Sequence, residues 1–71
     1  MNRQFKHMKE IRFSRLTDAK SVTQSIRRKG EDCVVSRSGN QVAVFSDDNP
    51  DRHFQRAYLR LGRIPDGVSM N

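Results

Sequence analysis

Cysteine is almost absent from this chain, and the single Cys33 leaves no intramolecular disulfide to hold a fold together. Long apolar runs are absent too. Nothing approaches the ~18 consecutive apolar residues of a membrane span, and residues 1–8 are polar and basic rather than an apolar secretory leader, so the expected location is the cytoplasm. There is no glycine-rich phosphate loop, internal repeat or low-complexity segment. Two histidines and one cysteine, scattered along the chain, supply neither the paired base that activates a nucleophile nor the ligand spacing of a metal site. His7 falls in a basic arm, His53 early in the last helix at a surface position, and Cys33 at the start of an apolar strand, where a free thiol packs as a small hydrophobe. No enzyme activity, metal or cofactor is expected. Apolar residues are scarce as well: 34% of the chain, against roughly 45–50% in an ordinary domain when glycine is included. A 71-residue chain buries a marginal core, so a second copy or partial disorder is expected to complete the picture.

What the chain has is positive charge, and it is segregated. Residues 1–30 carry nine Lys or Arg against Glu10 and Asp18, a net of +7, while residues 31–71 carry a net of −1. Solubility alone does not require that asymmetry. A polyanion partner for the N-terminal half does, since each phosphate neutralised by Lys or Arg releases condensed counterions.

The organisation follows from local patterns. Residues 30–46, GEDCVVSRSGNQVAVFS, read as a hairpin: one β-prone run over residues 33–37, another over 41–46, and Ser38, Gly39 and Asn40 as the turn. Upstream, residues 10–14 alternate polar and apolar, with Ile11 and Phe13 on one face, as a short strand does. Thr17 or Asp18 is placed to cap a helix that runs to Lys29, with Leu16, Ala19, Val22 and Ile26 as its apolar stripe and Gly30 just past its end. Downstream, Asp47, Asp48 and Asp51 suit a turn and a helix start, with Asn49 as cap and Pro50 in the first helical position. Phe54, Ala57, Tyr58 and Leu61 recur at i, i+3, i+4 and i+7 before Gly62. The expected chain is a flexible basic arm (1–9), one small α+β domain of order β-α-β-β-α with the hairpin packed on helices (10–62), and a short tail (63–71).

Arginine suits both bidentate phosphate contact and guanine edges, and a side chain near a hairpin turn projects into a groove. Arg37 is therefore the leading candidate for contact with double-stranded DNA. Arg27, Arg28 and Lys29 follow, although they also complement the negative end of the first helix. RNA is disfavoured because the hairpin carries one aromatic, Phe45, where single-strand modules present several for stacking. A different class, a small phage- or plasmid-type protein that inhibits a host protein, would use the face of Phe54, Tyr58 and Leu61.

Ile11-Arg12-Phe13-Ser14, Gly30-Glu31-Asp32, Val34-Val35-Ser36-Arg37, Ser38-Gly39-Asn40 and Val42-Ala43-Val44-Phe45-Ser46 follow one another in the order and spacing of the N-terminal DNA-binding domain of Phd/YefM antitoxins. The chain resembles that family over about half its length. The resemblance implies a homodimer that represses its own operon, DNA contact by Arg37 and by a basic residue near the start of the first helix (Arg15 or Lys20), and possible neutralisation of a toxin through the C-terminal segment; Arg12 is a further candidate for DNA contact. Three features depart from the family. The first helix has Lys20, Thr23 and Gln24 where apolar bulk is usual, the tail is short and weakly acidic, and the arm is longer and more basic.

Overall fold

Three strands and two helices alternate along the chain in the computed structural model, which describes residues 4–68: β1 (His7–Arg12), α1 (Leu16–Arg28), β2 (Cys33–Ser38), β3 (Gln41–Ser46) and α2 (Asp51–Leu61). The outermost parts of the expected arm and tail, residues 1–3 and 69–71, lie outside the described residues. The strands form one antiparallel sheet of order β1-β3-β2, with the hairpin's second strand in the middle. Among the described residues no helix is long and apolar enough to cross a membrane.

The hairpin closes through a two-residue loop, Gly39–Asn40, between the paired Ser38 and Gln41. Only Gly39 takes a positive φ, +59°, as the first central position of a type II′ turn requires; Asn40 does not share that burden. This turn fixes the register, so Val35 lies opposite Val44 and Cys33 opposite Ser46. Val42, Val44 and Ser46 alternate inward and are fully buried. The opposite face is left open. There Met8, Phe45 and Val34 stand side by side across the three strands, with Met8 and Val34 about half exposed.

Both helices cover the inner face. Ala19, Val22 and Ile26 from α1 and Phe54, Ala57 and Tyr58 from α2 join Phe13, Val35, Val42 and Val44 in a single core. Tyr58 meets Phe13 edge-on at a centroid distance of 6.5 Å and lies 6.4 Å from Phe54. Thr23 is also buried, its hydroxyl satisfied by donating to the Ala19 carbonyl at 2.8 Å. Phe54 and Tyr58 are thus core residues, with Leu61 packed at the margin, rather than the exposed face that a protein-inhibiting role would use.

Several local expectations are corrected. The first strand begins at His7 and takes in His7, Met8 and Lys9, which the sequence places in a flexible arm; it pairs with β3 from Ser46 down to Gln41. Helix α1 starts at Leu16, with Arg15 extended at the N-cap and no side-chain cap. Leu16 is exposed rather than part of the stripe, whereas Asp18 is buried and paired with Arg63. Helix α2 starts one residue later than expected, at Asp51, whose N–H donates to Asn49 Oδ1 at 3.0 Å. Gly62 ends it in the left-handed region, at φ +80°. The segment after Gly62 is not a free tail: Pro65 is buried, Asp66 pairs with Arg15, and Gly67 closes onto the side chain of Ser14.

Candidate nucleic-acid interface

The strand–helix order decides where the cations go. Strand β1 ends and α1 begins beside the hairpin tip, where Phe13 N–H donates to the Asn40 carbonyl at 2.8 Å and Asn40 Nδ2 donates to the Ser14 carbonyl at 3.4 Å. Arg12, Arg15 and Arg37 therefore gather at one end of the sheet. Arg12 belongs to the outer-face row with Gln41 and Ser38, and Arg37 to the inner-face row with Val42, so the two arginines flank the turn on opposite sides. Arg12, Ser38, Gly39, Asn40 and Gln41 line a shallow groove there. Arg37 is exposed and folds back on its own turn, Nη1 donating to the Gly39 carbonyl at 2.9 Å, with no acidic partner among the described residues.

The other cations lie at the far end of α1, about 20 Å away for a helix of 13 residues. Arg28 and Lys29 share a groove with Ser21, Gln24, Ser25, Arg60 and Leu61. Arg27 reaches sideways to the edge strand, Nη2 donating to the Val35 carbonyl at 3.3 Å, and so has a structural task. Lys20 bridges the two groups, exposed one turn into α1. Lys20, Gln24 and Arg27 follow one another at i, i+4 and i+7 along the solvent face of the helix. The one acid of α1, Asp18, is turned inward to Arg63, so that outward face carries positive charge alone.

Among the described residues, no ion pair involves Arg12, Lys20, Arg28, Lys29 or Arg37. The contrast is with Lys9, Arg56, Arg60 and Arg63, all of which meet carboxylates of Asp51, Glu31 or Asp18. Arg15 sits between the two sets: it pairs with Asp66 at 3.3 Å, but both side chains are about two-thirds exposed, a contact worth little in water. The fold thus pairs Arg56, Arg60 and Arg63 with carboxylates and leaves Lys20, Arg28 and Lys29 of α1 and its end, and Arg12 and Arg37 at the hairpin tip, without one among the described residues. Besides Met8, Leu16 and Val34, the exposed apolar side chains among the described residues are Leu59 and Ile64, which share a shallow groove with Tyr58 and Arg63.

A second cluster, at the other end of the hairpin, is not foreshadowed by residue spacing. Because Cys33 pairs with Ser46, Glu31 and Asp48 end up two residues beyond each strand end, next to the first turn of α2. His53 is buried there, at 2% exposure, and not on the surface. Its Nε2 lies 3.0 Å from Asp48 Oδ1 and its Nδ1 3.3 Å from Glu31 Oε2. The hydrogen bond from His53 holds the Asp48 carboxyl below its ordinary value. Burial, helped by the charges of Glu31, Asp48 and Asp32, pushes the Cys33 thiol up to about 11. The signal that could have located the cluster was the hairpin register, carried two residues past each strand end.

Burial also pushes the Tyr58 hydroxyl up to about 12, with the charge of Asp51 adding to it. Both acids favour the neutral form in the folded state, so their contribution to stability is complete below their unfolded values and is lost as pH rises through the folded ones. The urea midpoint is expected to fall as pH rises from about 9 to 11, with Cys33 titrating first. A Cys33→Ala variant is expected to lose that part of the decline, and a midpoint flat over this range in chelator-treated protein would contradict the burial of the thiol.

Comparison with family models, with curated proteins and with solved structures finds no match for this chain.

Proposed function

We propose that this protein is a cytoplasmic, non-enzymatic DNA-binding repressor of the type to which its sequence bears a resemblance. In this proposal it grips duplex phosphates along α1 and reads base edges with the hairpin tip. The observation that carries the proposal is the set of uncompensated cations on α1 and the tip, in contrast to Lys9, Arg56, Arg60 and Arg63, which meet carboxylates. A helix of about 20 Å with an outward face free of acids matches the length of a groove contact. Lys20, Arg28 and Lys29 serve as phosphate anchors, and Arg37, with Arg12 across the turn, as the base-reading pair.

A homodimer is part of the proposal. The row of Met8, Phe45 and Val34 is apolar and uncovered, and a second copy seated on it would double the cationic surface while hiding that row. The outward face of α1 does not suit that contact, because it would set like charges against each other. Toxin contact is not included: residues 63–68, where the resemblance would put it, fold back against Ser14 and Asp18.

Base reading and phosphate anchoring separate by mutation. Arg37→Ala is expected to lower affinity for the operator by about 10-fold or more while leaving random DNA nearly unchanged, as loss of a bidentate base contact does. Arg28→Ala is expected to weaken both alike. Gel shifts on the DNA upstream of the gene and on random duplex test this, and equal losses for Arg37→Ala on both DNAs would remove Arg37 as a base reader.

A further inference from the structure

Two polar atoms in the Glu31–His53 cluster lack what their burial demands. His53 Nδ1 and Glu31 Oε2 are both buried and neither makes a hydrogen bond, although they face each other at 3.3 Å. Asp48 Oδ1 occupies the other ring nitrogen, Nε2, at 3.0 Å and so favours the tautomer with its proton there. That leaves a lone pair on Nδ1 aimed at a carboxylate oxygen, a repulsive arrangement unless a cation lies between them. The other carboxylate oxygen, Glu31 Oε1, is held by Arg60 at 3.5 Å and Arg56 at 3.6 Å, which orients Oε2 toward the ring. Cys33 supplies the third group: its Sγ, a carboxylate oxygen of Glu31 and a ring nitrogen of His53 all lie within 4.8 Å of one another.

We propose that Glu31, Cys33 and His53 form a Zn²⁺ site, with Oε2, Sγ and Nδ1 as ligands and the fourth tetrahedral position left to water or an external ligand. Carboxylate, thiolate and imidazole together form the donor set of zinc rather than of calcium or magnesium, which take oxygen. Tetrahedral bonds of about 2.0–2.3 Å put neighbouring ligand atoms about 3.3–3.7 Å apart. The Glu31–His53 separation of 3.3 Å already fits, and with all three ligand atoms within 4.8 Å Cys33 has to move by no more than on the order of 1 Å. Asp48 plays the part of the carboxylate that orients a metal-bound histidine, and Arg56 and Arg60 hold the glutamate. The metal would tie the start of β2 to the first turn of α2, at the end of the sheet opposite the hairpin tip, in a chain that has no disulfide to do so.

The test titrates the full chain, stripped with a chelator, with Co²⁺ and then with Zn²⁺. Expected are tetrahedral visible bands and a thiolate-to-cobalt charge-transfer band at one equivalent, both abolished by one equivalent of Zn²⁺, and a Zn²⁺-induced rise in Tm of roughly 10 °C at hundredfold excess over Kd. Cys33→Ser is expected to lose the charge-transfer band while remaining folded by circular dichroism. Asp48→Asn, at an exposed position, is expected to keep the band and weaken the affinity about 10-fold. A folded chain without the band, or a band that survives in Cys33→Ser, would overturn the site. So would a metal-insensitive Tm with both His53 ring nitrogens protonated by NMR, which would make His53 a proton clamp between two carboxylates.

Discussion

Replacing Lys20, Arg28 and Lys29 together with glutamine is expected to lower affinity for duplex DNA by about 500-fold at 0.1 M salt. Each phosphate contact contributes about 0.9 to the log–log salt slope, so three lost contacts remove about 2.7 log units per decade of salt below 1 M. These three side chains are chosen because among the described residues they make neither an ion pair nor a hydrogen bond. Their removal therefore leaves no buried group without a partner, and the urea midpoint is expected to stay within about 0.5 kcal/mol of the parent, as for ordinary surface changes. Arg27 is left in place because it satisfies the Val35 carbonyl on the edge strand. A triple variant that binds DNA as the parent does would place the contact elsewhere. One that unfolds would show that the cations have a structural task absent from their observed contacts.

The second large effect is on the fold. Phe54 is 1% exposed at the centre of the core, beside Tyr58. Phe54→Ala is expected to cost about 3–5 kcal/mol, the usual range for a buried phenylalanine. A chain of 71 residues has roughly 4–10 kcal/mol in total. The variant is therefore expected to lose between about a third and all of its stability, with the urea midpoint lowered in proportion. This outcome separates two roles for the α2 face. A variant that keeps its midpoint while losing a protein partner would make Phe54 a contact residue, against its burial here.

Legibility in the sequence followed the range of the interactions involved. The hairpin was readable because Gly39 and the alternating Val42–Val44 pattern are local signals, and α2 because Phe54, Ala57, Tyr58 and Leu61 mark one helix face without outside help. Strand β1 was only half readable. Ile11 alternates with polar neighbours, but His7, Met8 and Lys9 become strand because β3 offers them a paired edge, and their own composition says nothing of it. The charged residues were hardest. Asp18 in the first turn of a helix reads as a cap, and its burial depends on Arg63, 45 residues away. His53 reads as a surface residue for the same reason: Glu31 and Asp48 become its neighbours only once Cys33 lies opposite Ser46. The candidate DNA contacts Arg12, Lys20, Arg28, Lys29 and Arg37 could be named as cations from composition. That they are among the cations without an ion pair in the described residues is a tertiary fact, set by which carboxylates the fold hands to Lys9, Arg56, Arg60 and Arg63.

The most direct measurement of the central claim is the salt dependence of binding to the duplex upstream of the gene, with random duplex and single-stranded RNA as competitors. Three phosphate anchors per chain would give a log–log slope of about −2.7 for each chain bound, and about −5 for a dimer that engages both. The account predicts a slope in that range, with operator binding that survives random duplex and RNA. A slope near zero, or equal affinity for operator, random duplex and RNA, would contradict it.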